Sequence, residues 1–277
     1  MPALSRGPLL PSPLRALYAD LDGTLAGPGG SLYATADGPS SRGADALAAL
    51  HRAGVIFVLV SGRTRAQARE AARLVGAQSF IAELGAFVVD RTEPETVTTN
   101  FGQFRGPGSP FVAMARSGAG ASLLERYPGR LEPHTPWSFE DREATMLFRG
   151  LVDESEASAE LQRAGYRWLE VCDNGRVSRS YESLNVPEVH AYHLVPRGVT
   201  KASAVRLHRE RHGLSPEETA AVGDSPSDLR MASEVGAMVL VGSGDADEDD
   251  PRVFRTEAVA VEGFADAVEA LLGPPGP

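Results

Sequence analysis

One short stretch constrains this chain more than any other. It is Tyr18-Ala19-Asp20-Leu21-Asp22-Gly23-Thr24-Leu25, preceded by the apolar run Leu14-Arg15-Ala16-Leu17-Tyr18 and followed by the loop Ala26-Gly27-Pro28-Gly29-Gly30. A buried strand that ends in two carboxylates one residue apart, and then a glycine, is a poor way to finish a core element. Side chains alternate along a strand, so the spacing puts Asp20 and Asp22 on one face. Two like charges that close need a shared counter-charge or a proton. A hard divalent cation meets that need, and Mg²⁺ takes a few carboxylates together with phosphate oxygens. Gly23 allows a tight turn that offers backbone N–H groups to an anion. The competing reading is a strand that simply ends in a solvated Asp-Gly turn.

The chain of 277 residues is long enough for one large or two ordinary domains, and its 42% hydrophobic and 23% charged residues describe a globular protein with a real core. A formal net charge of −10 argues against a nucleic-acid partner. It leaves a small phosphorylated metabolite open, because a metal and a few local cations can invert the field of one cleft. Cys172 is the only cysteine, which excludes an intrachain disulfide and a cysteine metal cluster and fits a reducing, cytoplasmic setting. Residues Met1 to Pro13 contain no apolar h-region, so no signal peptide is expected. The longest apolar run, Val55 to Val60, is far too short to span a bilayer, and no membrane association is expected.

Along the chain, Ala26 to Gly43 reads as a long surface loop and Ala44 to Arg52 as a helix. Val55 to Val60 is continuous and β-branched, the mark of a strand buried on both faces of a parallel sheet. It ends in Ser61-Gly62-Arg63-Thr64, where Thr64 can cap a helix over Arg65 to Val75. Short strands follow at Ser79 to Ala82 and Ala86 to Asp90, completing a doubly wound opening. From Arg91 the pattern changes. Thr92 to Pro110 is irregular, Phe111 to Tyr127 reads as one helix, and Tyr166 to Cys172 turns through Asp173-Asn174-Gly175 into Arg176 to Tyr181 as a hairpin. His190 to Val195 is a further strand. Alternation then resumes with a helix at Thr200 to His212, a strand at Thr219 to Val222 and a strand at Ala237 to Val241. The expected fold is α/β, a Rossmann-like doubly wound parallel sheet interrupted by an α+β insertion. The expected boundaries are residues 1–88 and 196–277 for the core and 89–195 for the insertion.

Asp20 and Asp22, Ser61 and Asp224 each close a predicted strand, and Lys201 opens a helix. Ligands of open parallel sheets bind at the carboxyl ends of the strands. Carboxylates for a cation, with a hydroxyl and a lysine for phosphate oxygens, describe phosphoryl transfer.

In this arrangement the chain resembles the haloacid dehalogenase-like (HAD) hydrolase superfamily. Its four motifs correspond to Asp20-Leu21-Asp22-Gly23-Thr24, Ser61, Lys201 and Gly223-Asp224-Ser225-Pro226-Ser227-Asp228. The insertion between the second and third motifs, together with Ile81-Ala82-Glu83-Leu84-Gly85-Ala86, is similar to the Cof-like type IIB (C2-cap) branch, rich in sugar-phosphate and small phosphomonoester phosphatases. The resemblance implies Asp20 as a nucleophile forming an aspartyl-phosphate and Asp22 as general acid and base. It implies phosphate binding by Gly23, Thr24, Ser61, Gly62 and Lys201. It implies Mg²⁺ on Asp20, Asp22 (through its carbonyl), Asp224 and Asp228. Three positions depart from the branch: Leu84 and Ser227 stand where Asn is usual, and Ala202 where Gly is usual. A phosphomutase of the same superfamily and a non-catalytic phospho-ligand sensor are the alternatives.

Other features read as structural. His208 and His212, at i and i+4, could chelate a metal, but without a third ligand they read as one helix face. His190 and His193 face opposite ways on a strand; with Arg149 and Arg179 they are the insertion's possible substrate contacts. The acidic run Asp245 to Asp250 lacks the glycine and glutamate of a calcium loop and reads as a solvated loop.

Overall fold

A computed structural model describes residues 9–177, 179–242 and 250–273. Among them, eight strands form one sheet in the order Val253–Arg255, Ala237–Leu240, Thr219–Gly223, Ala16–Asp20, Ile56–Val60, Ser79–Ala82, Phe87–Asp90, Thr96–Thr99. The first six run parallel and the last two antiparallel. The central strands are apolar on both faces because both faces are covered. Leu17, Leu59, Phe80 and Phe264 pack on one side, and Tyr18, Val58, Val205 and Met238 on the other. Truncating a residue as buried as Leu59 to alanine costs about 2–5 kcal/mol.

Ala16–Asp20 pairs with Ile56–Val60 on one side and Thr219–Gly223 on the other. The chain therefore winds outward in both directions from this strand, which opens a crevice at its carboxyl end. Asp20, the last residue of the strand, stands in that crevice.

The α+β insertion forms a second sheet, antiparallel, in the order Leu169–Arg176, His190–Pro196, Met146–Gly150, Leu131–Pro133. Helices Pro110–Ser117, Ala119–Arg126 and Glu154–Arg163 pack with it around Met114, Leu123, Phe148, Leu161, Tyr192 and Leu194. This cluster is separate from the two that flank the large sheet.

Three local readings of the sequence are corrected. Within the stretch read as irregular, Thr96–Thr99 is an edge strand paired with Phe87–Asp90; largely exposed, it needs no apolar alternation and so shows none. The single helix expected over Phe111 to Tyr127 is two, because Gly118 adopts φ +78 between them. Asp173-Asn174-Gly175 is not a hairpin turn. Leu169–Arg176 runs straight through it, with a bulge between Asp173 and Arg176 where Gly175 takes φ +96. The long loop also contains a short ladder, Ala34–Thr35 with Gly38–Pro39. Residues 245–249 of the acidic run lie outside the described residues, while Asp250 pairs with Arg252.

Candidate active site

Asp20 ends its strand with a side chain only 7% exposed. Beneath it, Thr200 caps the helix Lys201–Arg211 through a capping box with Ser203, which fixes Lys201 as the first helical residue. The Lys201 ammonium donates to Asp20 Oδ1 at 2.8 Å and to Asp228 Oδ1 at 2.7 Å, all three side chains being buried. Asp228 Oδ2 accepts from the backbone N–H of Asp224 and Ser225 and from Ser225 Oγ at 2.6 Å. The loop after Thr219–Gly223 is thus folded around one carboxylate. Thr24 Oγ1 donates to Asp224 Oδ1 at 2.9 Å, joining the first motif to the fourth.

The electrostatics of this cluster are unbalanced. Burial pushes the Asp20 carboxyl well above its ordinary range; Lys201 pulls it back, and Asp228 and Asp224 push it up again. Burial, then the charge of Asp228, lifts Asp224 to about 7. Burial would lower Lys201, but Asp20 and Asp228 outweigh it and hold the ammonium charged. Oxygen atoms of Asp20, Asp224 and Asp228 all lie within 4.8 Å of one another. Three carboxylates facing one ammonium, with oxygen as the only donor type, fit a hard divalent cation.

The remaining sequence-predicted residues surround this cluster. Gly23 has φ +97, and a Cβ there would fall 2.4 Å from Asp224 Oδ2. Ser61 is buried at the end of Ile56–Val60, its hydroxyl accepting from Arg63 N at 3.1 Å. Asp22 lies past the end of the strand, so alternation does not govern it. Its carboxylate is half exposed and held bidentately by Arg63 at 2.8 and 2.6 Å. Its charge still reaches the cluster, adding to the upward push on Asp224.

Gly62 is where the insertion comes down. A Cβ on Gly62 would meet His193 Nε2 at 2.9 Å and Asn174 Nδ2 at 3.0 Å. Ser227 Oγ donates to Asn174 Oδ1 at 3.1 Å, and Arg142 Nη1 donates to the Gly62 carbonyl at 3.3 Å. Of the four insertion residues singled out in the sequence, His193 meets a motif residue. Arg149 is engaged by Glu132 and Tyr181, and His190 by Asp173.

Sequence reasoning missed Arg63, Arg142, Asn174 and Glu83. The first follows directly on Ser61-Gly62, a signal that was available. Glu83 is fully buried and its carboxylate accepts from the backbone N–H of Glu143, Ala144 and Thr145 and from Thr145 Oγ1 at 2.9–3.0 Å, fastening the insertion to the large sheet. Glu83 and Leu84 both have positive φ, +47 and +57. At Leu84 this is a left-handed conformation that Asn adopts more readily than a bulky apolar side chain.

A family model for haloacid dehalogenase-like hydrolases matches residues 17–101 and 176–248. The chain belongs to this family. It is 25% identical over 266 residues to a phosphoglycolate phosphatase of Methanothrix thermoacetophila, covering 93% of this chain and 97% of the relative. A phosphoglycolate phosphatase of Archaeoglobus fulgidus is also 25% identical, over 258 residues, covering 93% and 96%. The fold is shared with the sucrose-phosphatase of Synechocystis sp. PCC6803 (TM-score 0.65, 16% identity, 94% of this chain and 98% of that one). It is shared as well with a HAD subclass IIB sugar phosphatase (TM-score 0.57, 19% identity, 92% and 98%). Family membership and the site together define an enzyme of the phosphatase class.

Proposed function

We propose that the chain is a Mg²⁺-dependent phosphomonoester hydrolase acting on a small phosphorylated metabolite through an aspartyl-phosphate. The observation that carries this reading is the buried Lys201, bridging Asp20 and Asp228 beside Asp224 at the carboxyl end of the central strand. Asp20 Oδ attacks phosphorus, and the bond from phosphorus to the leaving oxygen breaks. Asp22 gives that oxygen a proton, then takes one from the water that attacks the phospho-enzyme, releasing phosphate and restoring the Asp20 carboxylate. Gly23, Thr24, Ser61 and Gly62 hold the phosphoryl oxygens, and Lys201 balances charge on nucleophile and phosphate. Asp20, Asp224, Asp228 and the Asp22 carbonyl would hold the metal, which would neutralise charge developing on the phosphoryl group.

Residues 89–195 act as the cap, with Val89, Asp90 and Thr96–Thr99 remaining on the core sheet. His193, Asn174 and Arg142, gathered at Gly62, face the leaving group. Such close contact between cap and core suits a small, acidic or hydroxylated leaving group. The phosphoglycolate phosphatases among the relatives favour a phosphorylated hydroxy acid over a larger sugar phosphate. The single, buried Cys172 agrees with a cytoplasmic enzyme. The test is substrate ranking in phosphate release: 2-phosphoglycolate ahead of hexose phosphates is expected. Preference for hexose phosphates would overturn the hydroxy-acid assignment, and phosphate moved between sugar positions without release would overturn the hydrolase reading.

A further inference from the structure

A second cluster of ligating side chains stands at the opposite end of the sheet, outside the phosphatase site. His208 lies in the last turn of the helix Lys201–Arg211 and His212 is its C-cap, their rings stacked at 4.2 Å between centroids. The large sheet supplies the third group that the sequence did not reveal. Asp90 ends the antiparallel strand beside Ser79, and its Oδ1 lies 3.0 Å from His212 Nε2 and 3.6 Å from His208 Nε2. All three ligand atoms fall within 4.8 Å of one another.

We propose that Asp90, His208 and His212 form a binding site for a Zn²⁺-class transition metal, with a fourth position open to water. The donor set separates it from the phosphatase site, because two imidazoles and one carboxylate suit Zn²⁺ better than Mg²⁺. Bonds of about 2.0–2.1 Å in a tetrahedron place neighbouring donors about 3.3–3.4 Å apart. The 3.0 and 3.6 Å separations from Asp90 Oδ1 bracket that spacing. His212 is 32% exposed at its side chain, so the open position faces solvent.

The outer contacts are those a metal-binding histidine needs. Tyr18 OH lies 2.9 Å from His208 Nδ1, fixing the ring and turning Nε2 toward Asp90. Ser79 Oγ donates to Asp90 Oδ1 at 3.0 Å. Arg211 contacts the other oxygen, Oδ2, at 3.4 Å and leaves Oδ1 to the cluster.

A plain hydrogen-bonded network is the competing reading. It accounts for His212 and Arg211 on Asp90. It leaves His208 Nε2, in a fully buried side chain, without a hydrogen-bond partner. A buried ring nitrogen is rarely left orphaned, and a metal gives this one its partner. The ion would pin the far end of the helix carrying Lys201, about 16 Å along its axis, to the sheet.

The test is Zn²⁺ titration of the full chain by calorimetry under excess Mg²⁺, which keeps the carboxylate site filled. Co²⁺ absorbance serves as a second probe, four- or five-coordinate Co²⁺ giving strong visible bands. One Zn²⁺ per chain is expected to bind despite Mg²⁺ and to raise Tm. His212→Ala, at the solvent-facing end of the helix, and Asp90→Asn are each expected to weaken binding by at least about tenfold while keeping the circular dichroism of the wild type. Asp224→Asn is expected to bind as the wild type does. Absence of Mg²⁺-resistant binding, equal binding in both site variants, or loss of binding in Asp224→Asn would overturn the proposal.

Discussion

Gly23 and Asp224 are packed so closely that a single added methyl group would collide with the carboxylate: a Cβ on Gly23 falls 2.4 Å from Asp224 Oδ2. The backbone at Gly23 is also left-handed, at φ +97. Gly23→Ala therefore costs about 1–3 kcal/mol in backbone strain and displaces a proposed metal ligand. The expected result is a rise of at least about tenfold in the Mg²⁺ concentration needed for half-maximal activity, on the scale of metal-shell substitutions. Unchanged Mg²⁺ dependence would remove Asp224 from the metal shell.

Lys201 is the only cation that donates to the buried carboxylates of Asp20 and Asp228 among the described hydrogen bonds. Lys201→Met leaves two buried carboxylates without it. Removing one partner of a buried pair costs about 3–5 kcal/mol. Urea denaturation in EDTA should show a loss of that order, and turnover should vanish. A stable variant with ordinary turnover would mean that Lys201 is a structural residue with no part in the chemistry.

The pH dependence of the metal-free protein follows from Asp224, which burial and Asp228 lift to about 7. A carboxyl that holds its proton more tightly when folded contributes stability that is complete below its unfolded value, about 4. That contribution is lost as pH rises through about 7. In EDTA, the Tm of the wild type relative to Asp224→Asn should fall across this window. Mg²⁺, which takes the place of the proton, should flatten the difference. A difference that rises with pH would show Asp224 stabilised as the anion without metal.

Glu83 joins the two sheets through a carboxylate that accepts from three backbone N–H groups. Glu83→Gln turns a donor toward those donors and loses the charge. Hydrogen bonds to charged groups contribute about 1.5–3 kcal/mol each, so a loss of about 2–3 kcal/mol is expected in urea denaturation. A neutral effect would show that the insertion is held by its other contacts alone.

The sequence made the parallel sheet legible because its central strands, such as Val55 to Val60, are apolar without interruption. The reactive cluster was legible because Asp20, Ser61, Lys201 and Asp224 each stand at an element boundary. Three things were hidden for physical reasons. Thr96–Thr99 is an edge strand whose register comes from its neighbour and not from its own pattern. Asp173-Asn174-Gly175 is turn chemistry used as a bulge, because pairing with His190–Pro196 keeps the strand going. Asp90 joins His208 and His212 across 118 and 122 residues of chain, a juxtaposition that no local spacing encodes.

The most direct measurement is phosphate release from 2-phosphoglycolate by the wild type and by Asp20→Asn, each with Mg²⁺ and with EDTA. Release by the wild type in Mg²⁺, abolished by EDTA and by Asp20→Asn, is expected. Turnover retained in Asp20→Asn would contradict nucleophilic attack by Asp20, and turnover retained in EDTA would contradict the role given to the metal.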